Sequence, residues 1–162
     1  NHGELANRLM HPSYEVKREY MVRIHGDVDE AMIKRLTDGV VLEDGIARFQ
    51  TVKAQHARSA DEGGGRNRWF RVILAEGRTR EVRRLWESQD VEVNRLKRIS
   101  YGPIDLPSIV RSSDFLELDP KQIVSLFNAV GLRPPRFSEK NVIRDMRERK
   151  EKKLRARGNT YK

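Results

Sequence analysis

Hydrophobic positions in this chain recur with two periods, and the alternation between the two outlines its elements. Leu5 and Leu9, four residues apart in Gly3–Met10, mark a short helix that begins within a residue or two of the first position. His11-Pro12-Ser13 ends it, because proline disfavours helix in the residue before it. Residues 20–25 alternate as a strand, with Tyr20, Val22 and Ile24 on one face and Met21, Arg23 and His25 on the other. Gly26-Asp27 turns the chain. Asp29 then reads as the cap of a short amphipathic helix that carries Ala31, Met32, Ile33 and Leu36 and closes at Gly39. Residues 40–42 and 47–53 read as two strands around Glu43-Asp44-Gly45, a hairpin signal. Residues 55–67 read as a loop. Its Gly63-Gly64-Gly65 lacks the strand-to-helix context of a phosphate-cradling motif and serves as a linker.

The second half opens with an apolar strand at 69–74. Gly77 follows as a turn, and Thr79 is the expected cap of a helix whose apolar stripe is Val82, Leu85 and Trp86. A strand at 93–101 completes a strand–helix–strand unit. Gly102-Pro103 breaks it, 104–106 forms a short strand and 107–113 a loop. Asp119 as cap, Pro120 at the first helical position, and Ile123, Val124, Leu126, Phe127 and Val130 before Gly131 spell a complete helix. Trp69 and Trp86 each lie within an apolar pattern and are expected in the core. There are no internal repeats. The order of elements predicts an α+β fold with a mixed, mostly antiparallel sheet and flanking helices.

Charge changes this picture. The 162 residues carry a formal net charge of +9, unevenly placed. Residues 133–162 hold 12 Lys/Arg and 4 Asp/Glu, whereas the preceding 132 are nearly neutral with 21 basic and 20 acidic residues. Two segments follow from this, a globular body at 1–131 and a basic tail at 132–162, which serves either as an RNA-attracting arm or as a solubilising extension. Within the body, residues 66–98 hold 10 basic and 5 acidic groups. Four arginines, Arg78, Arg80, Arg83 and Arg84, crowd the start of one helix. A helix N-terminus already carries partial positive charge, so arginines stacked there call for an anion or a carboxylate. Arg78, Arg80, Arg84, Arg95 and Arg98 are candidate phosphate contacts. The alternative is a solvated helix whose arginines pair with Glu76, Glu81 and Glu87. No cysteine is present, which excludes disulfides and thiolate metal sites. The four histidines have no metal-ligand spacing, no run of about 18 apolar residues could span a membrane, and no signal peptide is visible. A cytoplasmic, monomeric protein is expected.

The chain resembles the bacterial ribosomal RNA pseudouridine synthases. Glu76-Gly77-Arg78-x-Arg80-Glu81-Val82-Arg83-Arg84, followed by Arg95-Leu96-x-Arg98-x-x-x-Gly102-x-Ile104-x-Leu106, is similar to that family's closing motifs. Gly3-Glu4-Leu5-Ala6-Asn7-Arg8-Leu9-Met10-His11-Pro12 is similar to the segment after its catalytic loop, and Arg18-Glu19-Tyr20 to its basic-x-tyrosine motif. Glu43-Asp44-Gly45 and Glu117-Leu118-Asp119 also fit, so the resemblance covers about residues 1–131. The Arg84-Leu85-Trp86-Glu87 ending points to members that act on the large subunit.

The resemblance implies isomerisation of a uridine to pseudouridine in large-subunit ribosomal RNA, without cofactor or metal. It implies that Tyr20 stacks on the flipped uracil or assists proton removal from carbon 5, that Arg83 pairs with a nucleophilic aspartate, and that Leu96 packs beside the base. An aspartate beside a fixed guanidinium stays ionised, and a base must leave its stack to be reached. On the residues alone, Tyr20 reads first as a core tyrosine and Arg83 as an ordinary helix arginine, and only the resemblance reverses that order. The family's Gly-Arg-Leu-Asp motif would lie ahead of Asn1-His2-Gly3-Glu4 and does not occur in these 162 residues. None of the aspartates present has that context. A portion of a catalytic domain that lacks its nucleophile, and that does not turn over alone, is therefore expected. A non-catalytic RNA-binding module and a structural protein are the alternatives from other classes.

Overall fold

Strand β1 (Arg18–His25) is the axis of the fold, and both long strands of the sheet are laid against it. This computed structural model describes residues 2–55, 67–107, 110 and 113–137. The expected linker glycines and the basic tail beyond 137 lie outside the described residues. The chain divides into two compact units, Asn1–Leu116 and Glu117–Lys162.

The first unit runs α1 (Gly3–Met10), a 3-10 turn (Pro12–Tyr14), β1, α2 (Glu30–Asp38), β2 (Val40–Leu42), β3 (Gly45–Ala47), β4 (Thr51–Gln55), β5 (Asn67–Leu74), α3 (Glu81–Glu87), β6 (Glu92–Tyr101) and β7 (Ile104–Asp105). Five strands form one sheet in the order β4-β5-β1-β6-β7, and β2-β3 is a separate two-stranded ribbon. Every pairing among the described residues is antiparallel, so the mixed component expected from the strand–helix–strand unit is absent there. The reason is topological. β5 and β6 run in the same direction, but each pairs with β1 between them, and α3 carries the chain across. No helix of the described residues is long and apolar enough to cross a membrane.

The period-two pattern of β1 decides what is inside. Val22 and Ile24 are fully buried, opposite Phe70 of β5 and Val93 of β6. Leu36 of α2 and Val82, Leu85 and Trp86 of α3 cover this face. Trp86 is completely buried, with its ring centroid 5.2 Å from Phe70 and 5.8 Å from Phe49. Burying one such side chain stabilises by roughly 1.5–3 kcal/mol. The cluster explains a departure from the hairpin pattern. The expected strand at 47–53 is broken at Phe49, whose side chain turns into the core while its N–H donates to Leu36 O at 2.9 Å. The ribbon thus ends at Ala47, and the chain joins the main sheet at Thr51. Trp69 is half-buried rather than a core residue.

The start of α3 also differs from expectation. Thr79 does not cap it. Arg80 occupies the cap position in a left-handed conformation, φ 53° and ψ 23°, and makes no side-chain capping bond. The turn is closed instead by Glu81, whose Oε2 accepts from the Arg78 N–H at 3.0 Å. A Glu at the first helical position complements the helix dipole, but Glu81 is only 3% exposed. Burial raises its carboxyl above the usual glutamate range. In the second unit, Asp119 and Gln122 form the reciprocal capping box of α4 (Pro120–Ala129), with Pro120 at the first position as its sequence predicts.

Phe49→Ala is expected to cost about 3–5 kcal/mol in urea unfolding, since it opens a void against Trp86. Phe115→Ala, at a side chain 88% exposed, should change stability by less than about 0.5 kcal/mol. A carboxyl whose folded pKa is raised favours folding below its unfolded pKa and loses that contribution as pH rises through the folded value. Glu81→Gln keeps an acceptor for the Arg78 N–H without the charge. Unfolding curves should therefore show the variant gaining on the parent chain as pH rises above the ordinary glutamate range, and nearly equal to it below that range.

Candidate active site

Beyond the core, the same face of the sheet opens into a cleft of about 630 Å³ between β1, β6 and the start of α3. The alternation that buries Val22 and Ile24 also delivers Tyr20 to this cleft, directly opposite Arg98 of β6, while Leu96 stands opposite Val22. Tyr20, Leu96 and Arg98 all line it, joined by Arg80, Glu81 and Val82 from the α3 turn. Four arginines (Arg18, Arg78, Arg80, Arg98) and one glutamate (Glu81) give the walls a clear positive excess. Two tyrosines and Leu96 supply apolar surface. Such a cavity suits a planar base carrying phosphate.

Arg98 is tied to Tyr20 rather than left to solvent. Its Nε and Nη2 donate to the Tyr20 hydroxyl oxygen at 3.2 and 3.0 Å. Its guanidinium carbon lies 5.3 Å from the centroids of both the Tyr20 and the Tyr101 rings. The tyrosine is thereby fixed in orientation by hydrogen bonds and cation–π contact together.

Arg18 is the residue that sequence reasoning passed over. It is 4% exposed and donates to the carbonyls of Val16, Ala75, Leu9 and Met10, so it binds the end of α1 to the turn after β5. A Cβ at Gly77 would stand 2.8 Å from the Arg18 guanidinium carbon, so glycine is needed there for close approach. The signal was present. Arg18 has the parity of Tyr20, Val22 and Ile24, which puts it on the inner face.

The other arginines separate. Arg84 forks onto the Asp44 carboxylate at 2.9 and 2.7 Å. Arg78 donates to the backbone carbonyls of Asp44 and Ile46, both at 3.0 Å, and to Glu76 at 2.8 Å. The Arg84 guanidinium holds the Asp44 carboxyl below its ordinary range. Of the two readings left open by the charge pattern, ion pairing therefore describes Arg78, with Glu76 as expected, and Arg84, whose partner is Asp44 of the hairpin instead. Arg80 is exposed and reaches Glu87 at 3.7 Å. Arg95 projects from the opposite face of β6, where its partner in register is Arg23. Arg83 is half-buried and donates through Nη1 to Val93 O at 2.6 Å. It is not among the residues lining the cleft, although its neighbour Val82 is. Its other N–H groups have no partner among the described residues. Among those residues no group of His, Asp or Glu side chains is gathered to hold a metal ion.

No family model matches the chain. Over 132 residues it is 52% identical to ribosomal large subunit pseudouridine synthase B of Pseudomonas aeruginosa, an overlap that covers 82% of this chain and 33% of that protein. Over 154 residues it is 48% identical to the protein of the same name from Vibrio cholerae, covering 95% and 46% respectively. The chain thus spans a third to about half the length of these curated relatives. A crystal structure of a pseudouridylate synthase superposes with a TM-score of 0.63 at 19% identity, over 76% of this chain and 50% of that one, and shares the fold. With about half its residues identical over most of its length, the chain belongs to the family of the ribosomal large subunit pseudouridine synthase B proteins.

Proposed function

We propose that residues 1–131 form most of the catalytic domain of an RNA pseudouridine synthase acting in the cytoplasm on large-subunit ribosomal RNA, with 132–162 as a basic tail. The observation that carries this reading is the convergence of Tyr20, Leu96 and Arg98 on one arginine-walled cleft, in a chain about half identical to proteins named synthase B. In the proposed reaction a flipped uridine enters the cleft. An aspartate attacks the nucleotide and the bond between N1 and the ribose breaks; the uracil turns, carbon 5 bonds to the ribose as the aspartate is released, and the carbon 5 proton is lost while N1 takes one up. Base and ribose are conserved overall, so the reaction is an isomerisation.

Each of this chain's residues then has a physical task. Tyr20 stacks on the uracil or helps to remove the carbon 5 proton, and Arg98 holds its ring in place. Leu96 forms an apolar wall beside the base. Arg80, exposed at the rim, meets phosphate, where contact contributes salt-dependent affinity. Arg83 spends one N–H on Val93 O and offers the rest to the nucleophilic carboxylate, which a guanidinium orients and keeps ionised. That aspartate, in a Gly-Arg-Leu-Asp context, is not among these 162 residues. Arg78 and Arg84 shape the rim through Asp44 rather than contacting RNA first.

The test is pseudouridine formation in large-subunit ribosomal RNA by the full-length natural protein. Arg83→Ala should lower kcat by at least about 100-fold, the scale of a misplaced reacting group. Modification at the parent rate would overturn the role of Arg83. The isolated 162-residue chain should form no pseudouridine, and turnover by it would overturn the external nucleophile. Arg98→Lys removes the paired donors to Tyr20 and keeps the charge. It should lower kcat about tenfold, the scale of one charge-assisted hydrogen bond, with KM for RNA nearly unchanged. A change confined to KM would make Arg98 a phosphate contact instead.

A further inference from the structure

The five-stranded sheet has a second face, turned away from the core and the cleft. Its residues are the other half of the alternation, and the strand registers place them in rows. One row runs Gln55, Trp69, Arg23, Arg95, and the next runs Lys53, Arg71, Met21, Lys97. Lys53, Arg71, Arg95 and Lys97 are exposed. Like charges stand directly opposite one another at Lys53 and Arg71 and again at Arg23 and Arg95. Such pairs destabilise a sheet unless something compensates them.

Compensation within the protein is partial. Glu19 takes Arg71 in a two-point ion pair and is also attracted by Lys53, and Asp105 lies at the edge of the face. Arg23 rests 5.9 Å from the centroid of the Trp69 ring, and its buried Nε has no hydrogen-bond partner among the described residues. Five cations against three carboxylates, the third being Glu92 opposite His25, leave this face with a positive excess.

We propose that this face is a second RNA-binding surface, which grips the phosphodiester backbone independently of the cleft. The proposal rests on the reading that the protein acts on RNA. Neighbouring strands lie about 4.8 Å apart and same-face residues about 6.8 Å apart along a strand, so the cations stand within a few ångströms of one another across the face. Cations at that spacing meet a run of phosphates, a contact that positions the RNA without selecting sequence. Trp69 is half-buried beneath Arg23 and supports that cation rather than stacking on a base. Arg95, assigned from sequence to the same phosphate surface as Arg98, belongs to this face instead.

The experiment compares binding of a large-subunit ribosomal RNA transcript to the full-length natural protein and to two variants across a salt series. The variants are Lys53→Glu/Arg95→Glu/Lys97→Glu on the sheet and Arg80→Glu at the cleft. The triple variant should bind at least about tenfold more weakly at 0.1 M salt, and its log–log salt slope should be shallower by about 2–3, near one for each lost contact. Its circular-dichroism melting curve should match that of the parent. In the parent, RNA should protect Lys53 and Lys97 from acetylation, a readout that stands even if the triple variant does not fold. Affinity and slope within twofold of the parent, or both lysines left unprotected, would overturn the proposal, as would capture of an acidic protein by this face with RNA binding intact. If the parent binds no ribosomal RNA, the functional reading falls with it. If the parent binds and only Arg80→Glu weakens binding, the second surface alone is wrong.

Discussion

The Asp44 carboxylate is the contact on which the arginine-rich turn depends. Four arginines at a helix N-terminus repel one another and the helix dipole alike. Asp44 takes the two-pronged fork of Arg84, and the hairpin backbone beside it takes the guanidinium of Arg78. Asp44 thereby offsets the charge of Arg84 while Glu76 offsets that of Arg78, and the β2–β3 ribbon becomes the outer support of the cleft. Arg80 and Arg83 remain for other partners. The left-handed backbone at Arg80 belongs to the same arrangement, because it turns the chain so that Glu81 can close back on the Arg78 N–H. A strained residue held by its surroundings at the mouth of a cleft is a common mark of a functional site.

β1 organises the rest. Its inner face supplies in succession a buried cation, a cleft tyrosine and two core aliphatics, Arg18, Tyr20, Val22 and Ile24. The core and the site are thus one surface that changes chemistry along its length. Arg18 shows how. Its guanidinium spends its donors on backbone carbonyls from two separate segments, so a charge that burial would otherwise penalise becomes a clamp. Tyr101 shares that clamp, with its hydroxyl donating to Leu9 O at 2.8 Å and its ring against Arg18 and Arg98. The end of α1, the turn after β5 and the cleft tyrosine, Tyr20, are therefore mechanically linked.

The sheet is two-sided in chemistry as well as in pattern. Its inner face buries apolar groups and forms the cleft. Its outer face keeps cations, partly reconciled by Glu19. Parity along β6 separates Leu96 and Arg98, which face the cleft, from Arg95 and Lys97, which do not. Motif similarity names these residues together; strand geometry assigns them to opposite sides.

The sequence by itself determined the elements and most of their ends. The spacing of Leu5 and Leu9, the alternation from Tyr20, the cap at Asp29, the stripe of Val82, Leu85 and Trp86, and the Asp119-Pro120 cap are local signals, and local backbone physics reads them without help from the rest of the chain. Ordered motifs were likewise enough to indicate a family. Tertiary structure alone decided which charges meet. Asp44 and Arg84 lie forty positions apart, Tyr20 and Arg98 seventy-eight, and no local pattern encodes such pairings. It also decided that Phe49 leaves the ribbon for Trp86, that Thr79 yields the cap position to Arg80, and that Glu81 is buried. Each of these is a contest between local preference and long-range packing, and packing prevails because a buried aromatic or a satisfied backbone N–H outweighs a few tenths of a kilocalorie of propensity.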